Sequence, residues 1–308
     1  MSDAPLLLTG ASGFIGAWIL RRAVELNRPI VACDLAEDRR RLTQILPGAA
    51  ETSLITWESL DVADAEAVEA LVERHDPVAI LHLAALQIPD CAAKPRLGAE
   101  VNVLGHLNIL EAARRRGGLP VVYGSSAAAK PRGPEQAPAN LYGIYKKAGE
   151  EMARIYWRDH GVPSLGLRPY IVYGIGRDQG ETSALTRAMQ AAALGESYEV
   201  PFTGRFSFQY AGDVAEIFIR CATSDIEGAL TSDISARLEN VDDVVAAIQA
   251  AVPAARITVA EHFRQGPEEG FDTTAIERLL GAPPATPLAA GVKATIDSFR
   301  QIAAATPA

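Results

Sequence analysis

Apolar and polar positions fall into alternating blocks along the first 170 residues, and the hydrophobic period changes from block to block. Short apolar runs cover Pro5 to Leu8, Pro29 to Cys33, Leu54 to Trp57, Val78 to Leu83, Leu119 to Tyr123 and Val162 to Leu167. Val78 to Leu83 is continuous rather than alternating, which suits a strand buried on both faces of a parallel sheet. Between them lie stretches with helical spacing: Phe14 to Leu26, Ala65 to Arg74, Leu97 to Arg116 and Leu141 to Asp159. Val68, Leu71 and Val72 make one helical face in the second of these, and Asp64 is placed to cap it. Lys130 to Pro134 reads as loop. Strand–helix alternation of this kind predicts an α/β fold, a Rossmann-type doubly wound parallel sheet.

Past Tyr170 the rhythm breaks. Helices are predicted over 182–194, 212–222, 241–251 and 289–305, with short strands at 198–202 and 256–259. The expected organisation is a nucleotide-binding domain over 1–170, to which 205–225 returns. A smaller substrate lobe takes 171–204 and 226–308 and folds over the sheet's carboxyl edge. Ligands of such sheets bind at the carboxyl ends of the strands, where Gly10, Asp34, Asp61, Ala84, Ser126 and Pro169 fall.

Composition narrows the classes. The 308 residues are 48% hydrophobic and 22% charged, ordinary values for a folded chain with ample core. A net charge of −9 argues against nucleic acid or an anionic membrane as partner. Arg39-Arg40-Arg41 and Arg114-Arg115-Arg116 are the basic clusters. Each reads as the solvated end of a helix, the first with a cofactor phosphate as its alternative. No apolar stretch has transmembrane length, and the chain enters a strand at once without a signal-like segment. The 3 cysteines and 5 histidines show neither disulfide nor metal-ligand spacing, so no metal is expected and the cytoplasm is the economical location.

Two stretches carry candidate chemistry. Thr9-Gly10-Ala11-Ser12-Gly13-Phe14-Ile15-Gly16 joins a strand to a helix. Its glycines let the backbone turn tightly and approach a ligand, and the helix N-terminus offers N–H groups to a pyrophosphate. The G-x-x-G-x-x-G spacing differs from the familiar G-x-G-x-x-G, but Asp34 closes the second strand where a ribose-binding carboxylate belongs. Farther on, Tyr142 and Lys146 stand four apart on one helix face. A tyrosine with a pKa of about 10 is a poor base at neutral pH, whereas a nearby ammonium favours the phenolate. Such a phenolate takes a hydroxyl proton while the carbon's hydride leaves for a nicotinamide.

TGASGFIG (9–16), Asp34, LDV (60–62), HLAA (82–85), VNVLGHLNILEAA (101–113), GSSAA (124–128), LYGIYKKAGEE (141–151), LRPYIVYGIGR (167–177) and FQYAGDVA (208–215) together resemble the extended short-chain dehydrogenase/reductase family, the NAD-dependent epimerase/dehydratase group. The resemblance implies that Gly10, Gly13, Phe14 and Ile15 cradle the pyrophosphate, Asp34 binds the adenosine ribose, and Asp61 and Val62 flank the adenine. It implies that Leu83, Ala84 and Ala85 line the cofactor, that Asn102 braces the site, and that Tyr170, Ile171 and Val172 pass beside the nicotinamide. Tyr142 matches the general acid–base, Lys146 the residue holding the nicotinamide ribose, and Ser126 the Ser/Thr that hydrogen-bonds the reacting oxygen. Ser125 is the less favoured serine, Tyr145 a structural residue, and His82 a satisfied core histidine. Gln87 and Arg177 are candidate substrate contacts. A carboxylate at Asp34 repels a 2′-phosphate, so NAD is the expected cofactor, unless Arg39 to Arg41 fold back to soften that repulsion.

The departures from the family pattern are informative. Dehydratases of the family resemble one another in acidic residues after the Ser/Thr, whereas Ala127 and Ala128 stand here, and the reductoepimerases' Cys is absent too. Nucleotide-sugar epimerases usually carry Asn where Ile171 stands, and Arg at the position of Phe206, with Arg205 one residue earlier. The reading is therefore an NAD-dependent oxidoreductase acting on a secondary alcohol of a small polar substrate such as a sugar or sugar acid. A nucleotide-sugar 4-epimerase with tightly bound NAD is the alternative, and a non-catalytic dinucleotide sensor a remote one. Resemblance also suggests a homodimer built on the helices 97–116 and 141–159.

Overall fold

Leu6–Thr9, Ala79–His82 and most of Ser164–Arg168 are buried along their length, as strands covered on both faces must be. The computed structural model describes residues 4–48, 52–131, 133, 136–235, 237–265 and 270–305, so Arg132 and Pro134 of the predicted loop lie outside the described residues. In chain order the strands are β1 (Leu6–Thr9), β2 (Ile30–Asp34), β3 (Ile55–Ser59), β4 (Ala79–His82), β5 (Val121–Gly124), β6 (Ser164–Arg168), β7 (Ile171–Tyr173), β8 (Ser197–Val200), β9 (Arg205–Phe206), β10 (Phe208–Tyr210), β11 (Ala229–Asp233), β12 (Glu239–Asn240) and β13 (Arg256–Val259). The helices are α1 (Phe14–Glu25), α2 (Arg40–Ile45), α3 (Ala65–His75), α4 (Ile88–Ala93), α5 (Pro95–Ala99), α6 (Gly105–Arg115), α7 (Leu141–His160), α8 (Ala184–Leu194), α9 (Ala211–Ala222), α10 (Val241–Ala251), α11 (Thr274–Leu280) and α12 (Leu288–Ala305).

The chain divides into two compact units, one of residues 1–169, 215–234 and 272–283, the other of 170–214, 235–271 and 284–308. The return to the first unit thus runs over 215–234 and 272–283, where the sequence pattern suggested 205–225.

Among the described residues of the first unit, seven parallel strands form one sheet in the order β11-β6-β5-β4-β1-β2-β3. Strand order reverses between β1 and β4, so the turn after β1 and the segment after β4 leave the sheet side by side. One face packs Leu7, Val31, Ile80 and Val121 against Val68 and Leu71 of α3 and Ile109 and Leu110 of α6, all buried. Each such side chain contributes about 1.5–3 kcal/mol. Asp64 caps α3 by accepting from the Ala67 N–H at 3.0 Å, as its position predicts. β11 escaped prediction because Ala229-Leu230-Thr231-Ser232-Asp233 has no apolar run, and its pairing with β6 alone makes it a strand. The predicted helix 97–116 is instead α5, a wider π-helical stretch over Glu100–Leu104, and α6.

In the second unit, Phe202, Phe206 and Phe208 pack with Met189 of α8, Val244 and Ile248 of α10 and Ile296 of α12. Asp213 fixes the segment before α12 by accepting from the Thr286 N–H at 2.6 Å and its hydroxyl at 2.7 Å.

Candidate active site

The turn after β1 is compressed. Gly10 has φ +74°, and a Cβ there would lie 2.6 Å from the Ala84 nitrogen, while one at Gly16 would lie 2.2 Å from the Gly10 carbonyl oxygen. At Gly13, by contrast, a Cβ would meet within 4 Å only the Gly10 oxygen, at 3.1 Å. This glycine begins α1 without a side-chain cap and gives its own N–H to the Gly10 carbonyl at 3.1 Å, at a helix N-terminus whose dipole favours an anion. The Asp34 carboxylate accepts from the Ser12 N–H at 3.0 Å and the Leu35 N–H at 2.9 Å. A carboxylate has about four acceptor sites, so acceptor capacity remains for ribose hydroxyls. The Ser12 hydroxyl donates to the Ala36 carbonyl and accepts from the Asp38 N–H, each at 3.2 Å, and so belongs to the loop after β2. Asp61 is exposed just past β3, and its carboxylate accepts from the Ala63 N–H at 2.9 Å, while Val62 is buried against Gly105. These residues fit a dinucleotide: glycines that admit close approach, a helix end for phosphates and a carboxylate for a ribose.

Leu83, Ala84 and Ala85 follow β4, half-buried beside that turn. Buried Asn102, in the π-helical stretch, donates to the Leu86 carbonyl at 2.9 Å and accepts from the Leu86 N–H at 2.7 Å, so the wider turn aims this amide at the loop. Its amide also reaches the buried Cys91 Sγ at 3.4 Å, whose thiol burial pushes up. Gln87 is exposed at the start of α4.

Tyr142 is 8% exposed in the first turn of α7, which Asn140 caps through the Gly143 N–H at 2.9 Å. Lys146, one turn on, donates to the Gly124 carbonyl at 2.6 Å, and its amine stands 5.6 Å from the centre of the Tyr142 ring. Part of this side chain reaches the surface, yet protein closely surrounds the amine, and that desolvation lowers its pKa to about 8. The two serines differ sharply. Buried Ser125 donates to Glu150 Oε1 at 2.6 Å, and Glu150 holds Arg168 in a two-pronged pair at 2.6 and 2.7 Å. Ser126 is half-buried at the end of β5, where its oxygen accepts from the Ala128 N–H at 3.1 Å. A Cβ on Gly143 would lie 2.3 Å from the Ala128 oxygen, so the Ser126 turn presses directly on the Tyr142 turn.

Beneath lies a buried aromatic row. The Thr9 hydroxyl accepts from the Ala84 N–H at 3.3 Å and shares a hydrogen bond with His82 Nδ1, 2.7 Å away. His82 faces His106 with ring centres 5.3 Å apart, and His106 meets Tyr123 at 4.6 Å. Burial and the nearby Lys146 charge keep both histidines neutral, His82 well below its usual value and His106 at about 3. His82 is the satisfied core histidine its sequence context implies, and Tyr145 is tied to the Pro95 carbonyl at 2.9 Å.

Within the second unit, Ile171 and Val172 are buried in β7 and Tyr170 stacks at 6.4 Å on Phe206. Arg177 donates to the Thr182 hydroxyl at 2.8 Å. Arg205 is exposed and Phe206 wholly buried. The Glu150–Arg168 pair went unnoticed in the sequence, although Tyr142, Lys146 and Glu150 repeat every four residues along one helix face.

The chain matches the NAD dependent epimerase/dehydratase family over residues 6–231 and belongs to it. NAD is its cofactor, and it is an enzyme of the extended short-chain dehydrogenase/reductase kind. A UDP-glucose 4-epimerase of Mycolicibacterium smegmatis is 28% identical over 310 residues, spanning 96% of this chain and 98% of the relative. The UDP-N-acetylglucosamine 4-epimerase of Methanobrevibacter ruminantium, solved with UDP-N-acetylmuramic acid, has the same fold with TM-score 0.83 at 20% identity, over 98% of this chain and 100% of that one. A partial-consensus L-threonine 3-dehydrogenase reaches TM-score 0.79 at 22% identity, over 96% and 99%. Among the described residues no helix is long and apolar enough to cross a membrane.

Proposed function

We propose that this enzyme moves a hydride between a secondary alcohol carbon of a small polar substrate, of sugar or sugar-acid kind, and nicotinamide. The observation that carries the reading is the division of labour at the end of β5. Ser125 is bound into the Glu150–Arg168 pair, which leaves Ser126 at the strand end against the Tyr142 turn, followed only by Ala127 and Ala128. A hydroxyl, a phenol and an ammonium suffice for alcohol oxidation, whereas dehydration needs an additional acid. When bound, NAD supplies the hydride acceptor. Ser126 hydrogen-bonds the reacting oxygen, and the Tyr142 phenolate takes its proton as the carbon gives up hydride. Lys146, anchored on the Gly124 carbonyl, holds the nicotinamide ribose and stabilises the phenolate. Gly10, Gly13, Phe14 and Ile15 receive the pyrophosphate, Asp34 the adenosine ribose, and Asp61 and Val62 the adenine. Leu83 to Ala85 line the cofactor under the brace of Asn102. The second unit carries substrate specificity, and the enzyme is a homodimer, a reading supported by the exposed apolar side chains Leu97, Leu104, Leu141 and Ile144.

A second reading, a UDP-sugar 4-epimerase, is favoured by the near-full-length similarity to the Mycolicibacterium enzyme. Against it, Phe206, where such enzymes usually carry Arg, is locked in the aromatic core of its unit.

The test is to denature the purified enzyme and weigh the released dinucleotide by mass spectrometry. Little NAD, together with reduction of added NAD by a panel of sugars and sugar acids, supports the dehydrogenase; near-stoichiometric NAD supports the epimerase. Tyr142→Phe should abolish turnover while NAD affinity stays within about threefold, and retained turnover removes Tyr142 from the mechanism.

A further inference from the structure

The three arginines before and within α2 have separate fates. Arg39 pairs with Glu37 and lies over the Trp57 ring at 5.5 Å, while Arg40 grips Asp38 with contacts of 2.6 and 3.0 Å and turns to solvent. Arg41 turns back and donates from Nη1 to the Ser12 carbonyl at 3.1 Å. The N–H of that same residue goes to the Asp34 carboxylate at 3.0 Å. One residue of the glycine-rich turn is thus gripped by an anion at its nitrogen and a cation at its oxygen.

The two charges have opposite consequences for a dinucleotide. A carboxylate accepts from ribose hydroxyls and repels a 2′-phosphate, whereas a guanidinium presents five N–H donors matched to phosphate oxygens. We propose that Arg41 is a cofactor-specificity residue that offsets Asp34 and admits dinucleotides bearing a 2′-phosphate, so that the enzyme binds NADP as well as NAD. The inference rests on the assignment of Asp34 to the adenosine ribose. Arg41 also braces the turn, and that role weakens NAD and NADP alike when it is lost. Discrimination is the separate signature of the charge.

Affinities for NAD and NADP measured by calorimetry on the full-length enzyme need no substrate. The wild type should bind both within about tenfold of one another. Arg41→Ala should lose at least about tenfold in NADP affinity with less than threefold change for NAD, Arg41→Lys should recover part of the loss, and Asp34→Asn should shift preference towards NADP. The salt dependence of NADP binding should weaken in Arg41→Ala. Equal weakening of the two cofactors in Arg41→Ala reduces the residue to a brace and overturns the proposal, as does a wild type that excludes NADP. If Asp34→Asn leaves the preference unchanged while Arg41→Ala changes it, the ribose assignment fails and the role of Arg41 in discrimination stands. If the wild type binds neither dinucleotide, the cofactor reading falls with it.

Discussion

Removing the Glu150 carboxylate tests how the end of β5 is held. That carboxylate accepts from Arg168 at 2.6 and 2.7 Å and from Ser125 at 2.6 Å, with its side chain 3% exposed and that of Arg168 14%. Glu150→Ala therefore leaves a guanidinium without its two-pronged partner in a nearly dry site, a change that costs about 3–5 kcal/mol. Arg168 also feels the Asp233 and Asp272 carboxylates, which retain part of its compensation and place the expected loss near the lower end, about 3 kcal/mol. Against a total stability of about 5–15 kcal/mol this is a large fraction. Urea unfolding followed by tryptophan fluorescence reads it directly. Glu150→Leu strands the same charge, and adding Arg168→Met removes it, so the double variant should recover at least half of the Glu150→Leu loss, a coupling of about 1.5 kcal/mol or more in the cycle with the two single variants. A loss below about 1 kcal/mol for Glu150→Ala, or simple additivity of the two changes, refutes a buried pair that orders this strand end.

Other consequences follow from neighbouring geometry. Gly143→Ala puts a methyl 2.3 Å from the Ala128 oxygen, where contact needs about 3.5 Å, so the Ser126 and Tyr142 turns separate by about 1 Å. Stability should fall by about 1–3 kcal/mol and turnover about 100-fold with NAD affinity nearly intact; turnover within threefold of wild type contradicts the arrangement. Lys146, at about 8 against an ordinary 10.5, binds its proton less readily folded than unfolded. Turnover should decline as pH rises through about 8 and the ammonium is lost, while stability gains between pH 8 and 10.5, where the unfolded chain holds more protons. Lys146→Met should lack that gain, and identical stability profiles for the two proteins disprove the desolvated amine. Leu104→Glu with Ile144→Glu places charges among exposed apolar side chains and should convert a dimer to a monomer by light scattering; a monomeric wild type rejects the homodimer.

Much of the first unit was legible because its signals are local. Continuous apolar runs mark strands covered on both sides, and intervening helical spacing forces parallel crossovers, so the doubly wound sheet follows without any long-range information. The glycine turn, Asp34, Asn102, Tyr142 and Lys146 were visible as motif residues at strand ends and on one helix face. What escaped was set by pairing between distant segments. β11 has a polar sequence and is a strand only because β6 lies beside it. The π-helical stretch of 100–104 looked like ordinary helix because hydrophobic spacing does not register one widened turn.

The chain's own pattern thus determined the class of fold, and its resemblance to the family pointed to the cofactor and to the residues eligible for chemistry. Only the tertiary structure decided which eligible group is available. It committed Ser125 to Glu150 and left Ser126 at the strand end, turned Arg41 onto the glycine-rich turn, and buried Phe206 while exposing Arg205. The reason is physical: hydrophobic period and turn chemistry act over a few residues, whereas hydrogen bonds and ion pairs are awarded by proximity between segments far apart in the chain, under competition for burial that no local stretch can report.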